Sequence, residues 1–66
     1  MKTGVIKNIA DDGFTTFIKV KLDKEYGGKT IDVEMGSEWG EGFLIGDVVG
    51  VYKYNGTTCL ELYEVD

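Results

Sequence analysis

Val48-Val49-Gly50-Val51-Tyr52-Lys53-Tyr54-Asn55-Gly56-Thr57-Thr58-Cys59-Leu60-Glu61-Leu62-Tyr63 is the stretch that decides the fold. Two runs rich in β-branched and aromatic residues flank Asn55-Gly56. That dipeptide is the strongest short signal for a type I′ hairpin, because both central residues of the turn need positive φ. Closing the turn predicts the pairs Tyr54 with Thr57, Tyr52 with Cys59, Val51 with Leu60, Val49 with Leu62, and Val48 with Tyr63. Directly opposed residues share a face, so Val49, Val51, Leu60 and Leu62 are expected to face the core. Val48, Tyr52, Tyr54, Cys59 and Tyr63 then crowd the opposite face. The returning strand is read as Thr57 to Val65.

Working outward, the segment from Gly36 to Asp47 shows no period. Glycines at 36, 40, 42 and 46 argue against a long helix, although Ser37 suits the cap of a short helical turn. Trp39, Phe43, Leu44 and Ile45 make the segment too apolar to float in water. It is expected to fold over one end of the domain as a plug, with Trp39 and Phe43 in the core, each contributing about 1.5–3 kcal/mol by burial; the alternative is a binding hot spot on an exposed loop.

Upstream lie three more strands. Thr30 to Met35 alternates, with Ile31, Val33 and Met35 inward. Phe14 to Leu22 is the cleanest, with Phe14, Thr16, Ile18, Val20 and Leu22 inward and Thr15, Phe17, Lys19 and Lys21 outward. One register for these two opposes Val20 with Val33, Lys21 with Asp32 and Lys19 with Glu34. Lys2 to Ile9 alternates imperfectly, since Ile6 breaks the parity of Val5 and Ile9; a bulge at or near Gly4 reconciles them. Ala10-Asp11-Asp12-Gly13 reads as a hairpin turn, and Asp23 to Lys29 as a polar loop broken at Gly27-Gly28.

Sixty-six residues make one small domain, residues 1–66, too small for a large enclosed active site. Five short strands with an irregular insertion after the third predict an all-β fold. A small, closed or nearly closed OB-like barrel is expected, with an SH3-like barrel as the other option. Closure would also hide sheet edges in a chain that has no proline to block them.

Composition removes several chemistries. The chain has no His and one Cys, so neither the usual zinc sites nor Ser-His or Cys-His nucleophile pairs can be built within it. No cofactor, no metal and no enzyme activity are expected. Asp11-Asp12 falls short of the roughly 6–8 oxygen ligands of a calcium site. Cys59 cannot form an intrachain disulfide, which favours a reducing, cytoplasmic setting; it reads as a small apolar filler. No apolar run approaches the ~20 residues of a membrane helix, and Met1-Lys2-Thr3-Gly4 does not open a secretory signal, so no membrane partner is expected.

Charge is lopsided. Residues 1–33 carry six Lys against five acids, and residues 34–66 carry Lys53 against seven acids, for a net −5. Glu38, Glu41 and Asp47 with Glu61, Glu64 and Asp66 form an acidic pole. It reads as a solubilising surface or, more sharply, as a mimic of phosphate charge that occupies a basic groove on another protein.

Gly4-Val5-Ile6, Phe17-Ile18-Lys19-Val20 and Gly46-Asp47-Val48-Val49-Gly50-Val51 resemble, in order and spacing, the skeleton of bacterial translation initiation factor 1 and S1-type RNA-binding domains. The soluble barrel domain of NfeD-type proteins looks similar over the same stretches. The first resemblance implies an OB-fold that binds RNA; the second implies no nucleic acid. The RNA-binding members are generally basic and use Arg freely, whereas this chain has none.

Two binding surfaces follow. Tyr52, Tyr54 and Tyr63, with Val48 beside them, form an outward aromatic face suited to a protein partner or to homo-oligomerisation. This is the expected function: a non-enzymatic binding module. The alternative is single-stranded RNA or DNA binding through Phe17, Lys19 and Lys21 with nearby Lys7, by base stacking beside cations. Cross-strand pairing of Lys19 and Lys21 with acids of the next strand would neutralise that stripe.

Overall fold

The computed structural model describes residues 1–63, an all-β arrangement of five strands. These are β1 (Lys2–Asp11), β2 (Thr15–Leu22), β3 (Thr30–Gly36), β4 (Val48–Tyr54) and β5 (Thr57–Leu62). A 3₁₀ turn (Lys24–Tyr26) joins β2 to β3, and a four-residue helix, α1 (Ser37–Gly40), follows β3.

The C-terminal hairpin forms as its turn dictates. Asn55 and Gly56 take φ of 50° and 79°, and all four expected pairs from Tyr54–Thr57 to Val49–Leu62 are present. Tyr63 extends the ladder, donating its N–H to the Val48 carbonyl at 3.0 Å. β5 ends at Leu62; Glu64 and Val65 lie outside the described residues.

All pairings are antiparallel, in the order β3-β2-β1-β4-β5. The expected closure into a barrel is not made. Among the described residues β3 and β5 share no ladder, although their Cα atoms approach within 8 Å. Side chains of Ile31, Met35 and Phe43 pack on the core along this seam, and cavities open on either side of Tyr52 and Thr58. The concave side of the curled sheet holds the core: Ile6, Ile18, Val20, Leu22, Val33, Val49, Val51 and Leu60.

Several local expectations are corrected. The β1 bulge sits at Lys7, between the pairs Ile6–Val20 and Asn8–Lys19. One extra residue there lets Ile6 and Ile9 share the inner face three positions apart, and turns Val5 outward opposite Lys21. Gly4 instead allows close approach: a Cβ there would lie 2.7 Å from the Lys21 carbonyl oxygen. β1 also runs on through Asp11, so the turn is tighter than Ala10–Gly13.

The β2–β3 register differs from expectation by two residues: Val20 pairs with Ile31, Ile18 with Val33, Lys19 with Asp32 and Lys21 with Thr30. A two-residue slip preserves which face each side chain takes, so alternation could not choose between the registers. The connecting loop chooses. Asp23 accepts N–H bonds from Tyr26 and Gly28 on its carbonyl, its carboxylate accepts from the Thr3 hydroxyl, and Leu22 closes onto Lys29 at 2.8 Å.

Three apolar residues expected inside lie outside. Phe14 precedes β2 rather than belonging to it and is 86% exposed. Trp39 is 73% exposed on α1, so only Phe43 of the expected pair packs on the core. Leu62 keeps its inward parity but is 55% exposed, because β5 is an edge strand with no neighbour to cover its end. Ser37 does not cap α1; Gly36 stands at that position, and the Ser37 hydroxyl bonds elsewhere.

Candidate functional site

One end of the sheet is built from the β1–β2 turn and α1. The turn is held by two consecutive carboxylates, each accepting N–H groups a few residues on, as Asp does in tight turns. Asp12 Oδ1 accepts from Phe14 N–H at 2.8 Å and from Thr15 N–H at 2.7 Å. Asp11 accepts from Gly13 N–H and the Thr16 hydroxyl, each at 2.7 Å, and from the Ser37 hydroxyl at 2.9 Å. These donors stabilise the ionised forms and hold both carboxyls below their ordinary pKa. For Asp11 the largest contribution is the Thr16 hydroxyl, followed by Gly13 N–H and Ser37; for Asp12 it is Thr15 N–H, followed by Phe14 N–H.

α1 is clamped onto the same turn. Ser37 N–H donates to the Phe14 carbonyl at 3.1 Å. Gly40 rests directly on the buried Thr16; a Cβ at position 40 would lie 2.3 Å from Thr16 Oγ1. The Trp39 ring lies back over Gly36, 3.4 Å from where a Cβ would stand. Phe14 thus has both backbone polar groups engaged while its side chain stands in water. The Trp39 side chain is exposed as well, on a helix packed through Gly40 against Thr16.

Charge completes the picture. Asp11 and Asp12 precede Phe14 in the turn, Glu38 and Glu41 flank Trp39 in sequence, Glu34 shares a cavity lining with Trp39, and no Lys occurs at residues 8–18 or 33–47. Carboxylates with lowered pKa are poorly suited to proton transfer near neutral pH. Among the described residues no group of three or more Cys, Asp and Glu side chains is arranged to hold a metal ion.

The tyrosines fall into two groups. Tyr52 and Tyr54 stand near the Asn55-Gly56 turn, paired with Cys59 and Thr57. Val48 and Tyr63 meet at the other end of the hairpin, about 20 Å along the strand from Tyr54. Between them the outer face carries Gly50, covered by the Met1 side chain, and the exposed Glu61. Tyr52 also walls the β3–β5 seam.

Phe17, Lys19 and Lys21 share the convex face of β2, as alternation requires. Phe17 is 41% exposed and lines a cavity of about 340 Å³ with Asn8, Lys19 and Glu34. Lys19 is bound to Asp32 at 3.1 Å, and Phe17 lies opposite Glu34. Lys21 and Lys7 sit together farther down, beside Lys24 and Val5, in a separate cavity of about 210 Å³.

Phe14 is the site residue that sequence reasoning missed; Trp39 was weighed as an exposed hot spot but placed in the core. A signal existed for Phe14: it directly follows Asp-Asp-Gly, where the turn's own hydrogen bonds set the backbone before the strand starts. No helix among the described residues is long and apolar enough to cross a membrane. No protein-family model, curated protein or solved structure matches the chain.

Proposed function

We propose that the chain is a non-enzymatic protein-interaction module that docks through the acidic end of its sheet. The observation that carries this reading is the exposure of Phe14 and Trp39 on backbone held by five hydrogen bonds to Asp11 and Asp12 and by the Ser37–Phe14 bond. Aromatic side chains supply much of the energy of protein interfaces, and prior rigidity lowers the entropy lost on binding. Burying either ring is worth about 1.5–3 kcal/mol. The carboxylates around them select a partner with Lys or Arg about an apolar cleft, and weigh against pairing of two such ends in a symmetric dimer.

Nucleic acid is less well supported. The Lys19–Asp32 pair and Glu34 beside Phe17 remove positive charge where a phosphate backbone would run. The finer architecture belongs to the same proposal. We read the sheet as an OB-like barrel opened along one seam, supported by its strand order and by the approach of its two free edges.

The test compares two paired variants as bait in an extract of the source cells. Phe14→Ser with Trp39→Ser is expected to lose the captured protein, and Tyr52→Ser with Tyr54→Ser to keep it. Capture should weaken with added salt. Retention by the first pair and loss by the second would move the interface to the hairpin. Salt-steep binding of a labelled oligonucleotide by the parent, with no protein captured, would replace the reading altogether.

A further inference from the structure

The end of the sheet opposite Phe14 and Trp39 opens into a cavity of about 620 Å³, lined by Leu22, Ile31 and Val51 with Tyr26 and Tyr52 at its sides. Ligand pockets typically occupy about 300–1,000 Å³ and combine an apolar lining with a few convergent polar groups. Here the cations are Lys2 and Lys53, with Asp32 and Thr58 also in the lining. Strand alternation puts both on the concave side: Lys2 shares its face with the buried Gly4 and Ile6, and Lys53 with the buried Val49 and Val51. Register agrees, since Lys2 pairs with Val51, and Lys53 with Thr58, two residues from the buried Leu60.

Both lysines are exposed, near the ends of their strands, with the parity that leads toward this mouth. They come from different strands and reach the same cavity. The only ion pair among the described residues is Lys19–Asp32, so no carboxylate of the described residues lies within 4.0 Å of either lysine. Asp32, the one acid at the rim, is engaged by Lys19 on the convex side.

We infer that this mouth binds a small amphipathic anion, a carboxylate carried on an aryl or short alkyl body. The body displaces water from Leu22, Ile31 and Val51, between the two tyrosine rings. The carboxylate takes charge-assisted hydrogen bonds from Lys2 and Lys53. The net charge of −5 repels anions at long range, so local cations are needed for an acid to be preferred. This site is separate from the protein-docking end and does not depend on it.

The test titrates isotope-labelled chain with 4-phenylbutyrate, 4-phenylbutan-1-ol and 4-phenylbutylamine, which share one body and differ in head group. The acid is expected to give saturable NMR shifts at Leu22, Ile31 and Val51, with the alcohol about tenfold weaker and the amine weaker still. Lys2→Gln with Lys53→Gln should abolish the preference for acid over alcohol. Should that pair fail to fold, Lys53→Gln alone, near the exposed hairpin turn, should reduce it. The inference is overturned by absence of saturable shifts at those residues below about 10 mM acid. It is equally overturned by equal affinity for acid and amine, or by a preference that survives the lysine substitutions.

Discussion

Ser37 donates its backbone N–H to the carbonyl oxygen of Phe14 at 3.1 Å, tying the start of α1 to the exit of the β1–β2 turn. Two segments 23 positions apart in sequence thereby become one surface. The bond leaves the Phe14 side chain outside and sets α1 so that Trp39, two residues on, is outside as well.

The two carboxylates beneath this surface make its stability depend on pH. Both are held below the ordinary Asp value, so the folded chain takes up their protons less readily than the unfolded chain does. Their contribution is fully present above the unfolded value of about 3.9 and is lost as pH falls through the lowered folded values. Asp11→Asn and Asp12→Asn are expected to lower Tm near neutral pH. The gap from the parent should narrow as pH falls below the unfolded value and through the lowered folded ones. A gap that stays constant into strong acid contradicts the assignment.

Gly40 rests on Thr16 with no room for a methyl group. Gly40→Ala is expected to cost about 1–3 kcal/mol, as overpacking does, read as a lower urea midpoint. An unchanged midpoint would mean that α1 is not clamped to β2.

Leu60 and Leu62 have the same parity on β5 but different surroundings, the first buried and the second exposed at an uncovered edge. Leu60→Ala is expected to cost about 2–5 kcal/mol, and Leu62→Ala about 1 kcal/mol or less. Equal costs would indicate that β5 is covered by a neighbour, as in a closed barrel.

These contrasts mark how far the sequence is legible. The C-terminal hairpin was readable pair by pair because Asn55-Gly56 leaves no slack between its strands. The β2–β3 register was not, because Val20 opposite Val33 and Val20 opposite Ile31 bury the same faces. The bulge was inferable from the parity of Ile6 and Ile9, but its place at Lys7 depends on pairing with β2. Trp39 was assigned inward on hydrophobicity, and Phe14 by extending the alternation of β2 one residue too far. Their positions follow from Asp12 accepting the Phe14 and Thr15 N–H groups and from Ser37 donating its hydroxyl to Asp11, a contact across 26 positions that no local pattern encodes. Lys2 and Lys53 were given no role in the sequence, because only the folded sheet brings the two strands to one cavity.

Trp39 is the sole tryptophan, so its fluorescence reports directly on the acidic end. The emission maximum and acrylamide quenching of the folded chain are expected to lie close to those of N-acetyltryptophanamide in the same buffer. A blue-shifted emission shielded from acrylamide would place Trp39 in the interior, and the surface on which the interaction reading rests would not exist.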